Sequence, residues 1–261
     1  MGINTGTLHY AAFTHPGKQF KQNQDALLVA GCMHQTAGFW QGELCLDKPC
    51  RFAVADGAGG LPSAAKASRT LLQSLLELDE VHPDWLPRQR LSALHHRLVV
   101  ACQHDRTLIN AGATLVTAEI ALDGHICLWH AGDSRGYHVR QQGLRQLTDD
   151  HTLAYCLRRT EQQSDSEHQA INNSYFGQAL DNLFVYSSVA EAPFIGLQRL
   201  KLAAGERLLL LSDGVTLHLS DDLLRECLED MDTVSAIQRI FAAVMASDAE
   251  DNASAILIAT T

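Results

Sequence analysis

Aspartates stand against five of the apolar, strand-like segments of this chain. Asp25 immediately precedes residues 26–30, Asp56 follows Phe52-Ala53-Val54-Ala55, and Asp133 comes just after a segment ending at His130. Asp213 follows Leu208-Leu209-Leu210-Leu211-Ser212, and Asp251 precedes the alternating residues 253–260. Strands form a rigid scaffold that can bring side chains distant in sequence onto one edge. Five carboxylates gathered there repel one another and must take up protons or share cations. A hard divalent ion resolves that repulsion most simply. Oxygen ligands without accompanying His or Cys point to Mg2+ or Mn2+, with Ca2+ disfavoured because the chain has no twelve-residue calcium loop. Glycines flank the acids in Asp56-Gly57-Ala58-Gly59-Gly60, Gly132-Asp133 and Asp213-Gly214, where they permit tight turns and let a backbone carbonyl approach an ion. Any single Asp-Gly pair is by default a turn, so the case rests on the joint appearance of these sites.

Strand signals recur at residues 8–13, 26–30, 51–55, 113–122, 125–130, 137–140, 206–211 and 253–260. Val116, Ala118, Ile120 and Leu122 alternate onto one face. Asp123-Gly124 between two of these strands reads as a two-residue type I′ hairpin turn, whose central positions both need positive φ. Helical periodicity covers residues 62–78, 88–108 and 233–245, with Pro62 suited to a first-turn position. Strands and helices segregate into blocks, which favours an antiparallel α+β layered fold over a doubly wound parallel sheet. Residues 152–182 are polar, rich in Gln, Ser and Asn, weakly patterned, and read as a flap.

The 261 residues suffice for a sizeable core, and with no repeat, low-complexity tract or linker the expectation is one domain over residues 1–261. The 20 basic against 30 acidic residues give a net charge of −10, so the overall field does not assist binding to nucleic acid or an anionic membrane. No apolar run approaches the roughly 20 residues of a membrane span. The N-terminus lacks a basic region followed by an apolar segment, and Gly6 stands where a myristoylation signal needs Ser or Thr, so cytoplasmic residence is expected; a monomer is expected as well. The seven cysteines are scattered and include no Cys-x-x-Cys pair, which argues against a disulfide framework and a zinc site. Gly57-Ala58-Gly59 would place the third glycine of a dinucleotide fingerprint at Pro62, outside any βαβ pattern, and no phosphate-binding P-loop occurs.

In order, the chain carries Gly17 with Asn23-Gln24-Asp25, then Ala55-Asp56-Gly57-Ala58-Gly59-Gly60, then Gly112-Ala113-Thr114-Leu115. These are followed by Ala131-Gly132-Asp133-Ser134-Arg135-Gly136-Tyr137, Leu147-Thr148-Asp149-Asp150-His151, Ser212-Asp213-Gly214 and Asp251-Asn252. From about Leu8 to Thr260 this resembles the metal-dependent Ser/Thr protein phosphatases of the 2C type in their compact bacterial form. The resemblance implies a central antiparallel β-sandwich flanked on both sides by helical layers, with a binuclear Mg2+/Mn2+ centre at one end. It implies that Asp56 bridges the two ions, that the Gly57 carbonyl binds one of them, and that Asp213 and Asp251 complete the other. Asp25 would mainly orient metal-bound water, and Asp133 would belong to a third, weaker metal site. The reaction implied is hydrolysis of phosphoserine and phosphothreonine on proteins, opposing a Ser/Thr kinase, with no protein nucleophile.

Three positions depart from the family pattern. Phe20 stands where the family usually has an arginine that grips the substrate phosphate, and Lys18 and Lys21 are the nearest cations, with Arg51 a further substitute. Lysine supplies charge but not the bidentate fork. Gln24 replaces a common Glu and removes one negative charge, and Ala58 leaves that turn without a histidine acid. His151 lies beside acids and has the chemistry of a proton donor, yet it is one of thirteen histidines, for which a structural role is the default. These departures define an alternative reading: a catalytically weak, phosphatase-shaped module that binds a phosphorylated partner and regulates by interaction.

Overall fold

The computed structural model describes residues 6–58, 63–78, 87–141, 143–160, 179–187, 189–229 and 231–260. Leu208 to Leu211 is apolar at every position because both faces of its strand are covered. Leu208 and Leu210 enter the space between two sheets, whereas Leu209 and Leu211 lie under helices. The same division sorts the other strands. Leu27, Phe52, Val54, Val116, Ile256 and Ile258 share the inter-sheet core, and Leu28, Ala53, Ala55 and Leu115 face the opposite helical layer.

The first sheet runs β10 (Gly143–Gln146), β9 (Arg135–Arg140), β13 (Arg207–Leu211), β14 (Ala253–Thr260), β1 (Thr7–His15), β4 (Gly38–Cys45). The second runs β3 (Cys32–His34), β2 (Asp25–Val29), β5 (Cys50–Ala58), β7 (Leu115–Ile120), β8 (His125–Ala131), β12 (Gly196–Lys201). The far end of β5 also pairs with β6 (Gly112–Ala113), which pairs with β11 (Phe184–Val185). The strand pairings within both sheets are antiparallel. Helices α1 (Ala64–Leu76) and α2 (Pro87–His104) cover the second sheet, where Leu71, Leu72, Leu75, Leu94 and Leu98 are fully buried. Helices α5 (Asp221–Leu228) and α6 (Thr233–Ala246) cover the first with Leu224, Ile237, Ile240 and Val244. Each such side chain contributes about 1.5–3 kcal/mol by leaving water. The expected four-layer α/β/β/α sandwich is therefore the fold. Two shorter helices, α3 (Leu153–Thr160) and α4 (Asp213–Thr216), lie at the same end as the aspartates.

Local chemistry sets the helix ends. Asp232 caps α6 by accepting from Val234 N–H at 2.8 Å and Ser235 N–H at 3.0 Å, and Ser220 caps α5 through Leu223 N–H. Pro62 lies outside the described residues, and the observed α1 starts at Ala64. The turn between β7 and β8 corrects the two-residue expectation. Gly124 N–H donates to the Ala121 carbonyl and Ala121 N–H to the His125 carbonyl, and of the two turn residues only Gly124 has positive φ, +80°. The loop is thus a longer turn closed by a left-handed glycine. Asp123 keeps negative φ because its carboxylate accepts from His125 N–H at 3.0 Å, an interaction local to the turn. The stretch expected as a flap begins with α3, and Thr152 bridges Leu180 where its two ends meet. Residues 161–178 lie outside the described residues.

Candidate metal centre

The antiparallel register places Asp25 directly opposite Asp56 on neighbouring strands. Like charges so paired destabilise a sheet, so the pair is present for a reason other than strand stability. β5 continues through Asp56, Gly57 and Ala58, and Asp56-Gly57 is strand where a turn was the default reading. A side chain at Gly57 would put its Cβ 2.2 Å from the Ala64 carbonyl oxygen, so only glycine lets the start of α1 come this close. From the first sheet, β13 ends and β14 begins side by side. Asp213 opens α4 after the one, and Asp251 precedes the other. Gly214 brings these two together, since a Cβ there would stand 2.0 Å from the Asn252 carbonyl oxygen and 3.3 Å from Asp251 Cβ. Asp133 comes in on the turn after β8, where Gly132 takes φ +106°. That turn is tied to Asp56: Thr114 Oγ1 shares a hydrogen bond with Ser134 Oγ at 2.7 Å and accepts from Asp56 N–H at 3.2 Å.

All five expected aspartates therefore converge on one end of the sandwich, and the charge of Asp213 acts on each of the other four. Burial pushes Asp25 up to about 8, with Asp213 and Asp251 adding to the effect against the opposing hydroxyls of Ser254 and Ser212. Asp56 is raised well above the usual carboxylate range by burial, then by the charges of Asp25, Asp213 and Asp251. Asp133 is pushed up to about 8 by burial and then by Asp213 and Asp150. Burial and Asp213 also raise Asp251.

Hydrogen-bond direction shows which charge state Asp25 is built for. Asn23 Nδ2 donates to Thr14 Oγ1 at 2.6 Å, which leaves the Thr14 hydroxyl to donate to Ser254 Oγ at 2.7 Å. Ser254 in turn donates to Asp25 Oδ2 at 2.6 Å, and Ser212 donates to the same oxygen at 2.7 Å. Every donor in this relay favours the carboxylate, yet Oδ1 of Asp25 is buried with no hydrogen-bond partner, as is Oδ1 of Asp213. Buried anionic oxygens without donors suit a cation. Among the described residues no three acidic, His or Cys side chains form a tight, ready-made ligand set. Burial and mutual repulsion instead hold Asp25, Asp56, Asp133 and Asp251 toward the protonated form. The all-oxygen donor set fits hard divalent ions.

The protein phosphatase 2C family pattern matches residues 21–259. The chain belongs to that family. The Ser/Thr phosphatase stp of Listeria monocytogenes is 30% identical over 216 residues, covering 78% of this chain and 82% of that one. The crystal structure of the Mycobacterium tuberculosis Ser/Thr phosphatase PstP superposes with a TM-score of 0.77 at 23% identity, over 97% of this chain and 98% of that one. A PstP catalytic domain in complex with two manganese ions gives 0.74 at 24%, over 98% and 100%.

In this member of the 2C family the expected phosphate-binding cations are placed differently from one another. Lys18 Nζ donates to the Ser247 carbonyl at 2.6 Å, so its ammonium sits on the C-terminus of α6. Lys21 is exposed on the same loop, and Phe20 beside it is 38% exposed. Arg51 is excluded as a substitute. It lies at the opposite end of β5, buried, with its guanidinium on Glu119 at 2.9 Å and on the Leu75 carbonyl. The loop itself is fixed to the centre by Asn252, whose Nδ2 donates to the Pro16 carbonyl while its Oδ1 accepts from Gln24 N–H at 2.7 Å. Sequence reasoning passed over Ser212, Ser254 and His218. A serine inside the otherwise apolar run 253–258 was the available signal for Ser254, which the fold buries fully. His218 accepts from Glu250 N–H and favours the ionised form of Asp251.

Proposed function

We propose that this chain, as one domain, hydrolyses phosphoserine and phosphothreonine on proteins and so reverses a Ser/Thr kinase. The observation that carries this reading is the pair of buried, partnerless carboxylate oxygens on Asp25 and Asp213 within a rim of five acids. Asp56, Asp213 and Asp251, with the Gly57 carbonyl, are proposed to hold two Mn2+ or Mg2+ ions, Asp133 to belong to a third, weaker site, and Asp25 to orient water. When bound, such ions supply Lewis acidity, lowering the pKa of water and countering charge on the phosphoryl oxygens. The manganese in the PstP catalytic domain supports the choice of metal.

The chain's own residues do the rest. The Asn23-Thr14-Ser254 relay favours the ionised form of Asp25 against its burial and fixes the carboxylate in direction. Asn252 and Gly214 set the spacing between Asp251 and Asp213. Lys21 is the proposed cation for the substrate phosphate. Phe20 supplies no charge where the family resemblance expects arginine, which keeps the alternative of a weak, partner-binding module in view. Titrating Mn2+ and Mg2+ against hydrolysis of p-nitrophenyl phosphate and a phosphothreonine peptide, with Asp213→Asn beside the wild type, separates the two. Saturable metal-dependent turnover that Asp213→Asn abolishes supports the enzyme. Peptide binding without turnover at any metal concentration, surviving Asp213→Asn, replaces it with the module.

A further inference from the structure

His151 closes the motif Asp149-Asp150-His151, and the proposed chemistry leaves it unused. Its ring is buried between His130 and Phe194, with ring centroids 4.5 Å away in each case. Its protonation pattern follows from Asn182. Phe194 N–H donates to Asn182 Oδ1 at 2.9 Å, which fixes the amide orientation, so Asn182 Nδ2 is the donor in its 2.8 Å contact with His151 Nδ1. Gly132 N–H also donates to Nδ1, at 3.2 Å. Nδ1 therefore carries the lone pair. The backbone adds two further bonds, from His151 N–H to the Gly132 carbonyl and from Asp181 N–H to the His151 carbonyl, both 3.0 Å.

One residue thus joins three segments: the Gly132-Asp133 turn, the entry to α3, and the segment at residues 179–182, where Leu153 N–H also donates to the Ala179 carbonyl. We infer that His151 and Asn182 are positioning residues for Asp133, acting as a clasp that couples the Asp133 turn to the closed arrangement of residues 151–153 with 179–182. This deepens the proposed reading, since it rests on Asp133 being a metal ligand. The coupling is reciprocal: a cation that fixes Asp133 steadies the clasp, and a closed clasp raises affinity for that cation.

The test is calorimetric Mn2+ binding by the full chain, together with amide hydrogen exchange at Leu153 and Asp181, remote from Asp133 in sequence. Asn182→Ala removes the side-chain donor, and His151→Phe keeps the ring stack without the acceptor. Each is expected to weaken the weakest Mn2+ step about tenfold, as for other residues that orient a ligand, with the tighter steps within about twofold. In the wild type Mn2+ slows exchange at both amides, and in the variants it does not. His151→Asn, which returns an acceptor near the position of Nδ1, restores the coupling. Should His151→Phe fail to fold, Asn182→Ala decides, because it alters one half-buried amide. Variants that bind Mn2+ like the wild type, or that weaken every step alike, overturn the inference. Asp133→Asn separates the causes. If it removes the weakest step while Asn182→Ala leaves that step unchanged, the clasp is wrong and the metal reading stands. If Asp133→Asn changes no step, both fall.

Discussion

A lysine that lies near a site in sequence can be spent on the backbone instead, and Lys18 shows how. Its ammonium meets the last carbonyls of α6, an interaction of about 0.3–1 kcal/mol at an exposed helix end. Lys18→Ala is accordingly expected to lower the melting temperature slightly and to leave the KM for a phosphothreonine peptide within about twofold, whereas Lys21→Ala raises that KM. Kinetics of the two variants side by side check this. If Lys18→Ala raises KM as much as Lys21→Ala does, the helix-capping assignment is wrong. Phe20→Arg brings a forked cation to the same loop. A hydrogen bond to a charged group is worth about 1.5–3 kcal/mol, so KM should fall about tenfold. An unchanged KM would mean that the side chain at position 20 does not reach the phosphate.

At the scale of elements, the centre depends on two backbones approaching more closely than a side chain allows. Gly214 in α4 faces the Asn252 carbonyl at 2.0 Å from where a Cβ would stand. Gly214→Ala is expected to destabilise the fold by about 1–3 kcal/mol through overpacking, and to weaken Mn2+ binding by moving Asp213 away from Asp251. Urea unfolding with and without Mn2+ measures both effects. A loss of stability with metal affinity unchanged would show that the spacing of these two acids is not critical. Asp232→Ala, which removes the cap of α6, should cost about 1 kcal/mol in the same assay and leave metal affinity alone. The strands that carry the aspartates were legible because their apolar runs are long and patterned, and each acid stands next to the end of such a run. β4, β10 and β12 were not. They are edge strands with mixed residues such as the exposed Gln198-Arg199, and the inward face of β4 alternates glycine with Trp40 and Leu44, too weak a pattern to set a period. The five aspartates were found as candidates, but their support was not. Thr14, Ser212 and Ser254 act through hydrogen-bond direction, which only the folded register reveals.

Across the whole molecule, gathering these acids makes stability depend on pH in an unusual direction. Asp25 and Asp133 titrate at about 8 in the folded chain, and Asp56 and Asp251 are also raised, against about 3.9 for an unfolded aspartate. Between those values the folded state binds more protons than the unfolded one, so stability falls as pH rises. The contribution is complete below about pH 4 and is lost as pH passes about 8, the reverse of the pattern for salt-bridged carboxylates. Metal-free protein should therefore melt at a lower temperature at pH 8.5 than at pH 6. Mn2+ answers the same repulsion as the proton, so it must displace protons to bind, and its apparent affinity should rise across that interval. Mn2+ should also raise the melting temperature more at pH 8.5 than at pH 6. Calorimetry in two buffers of different ionisation enthalpy counts the protons released. Release of none at pH 7, together with a melting temperature that rises with pH in the metal-free protein, would mean that the aspartates are already ionised. The cluster would then be stabilised by the protein's own donors, and the case for a cation at Asp25 and Asp213 would lose its physical basis.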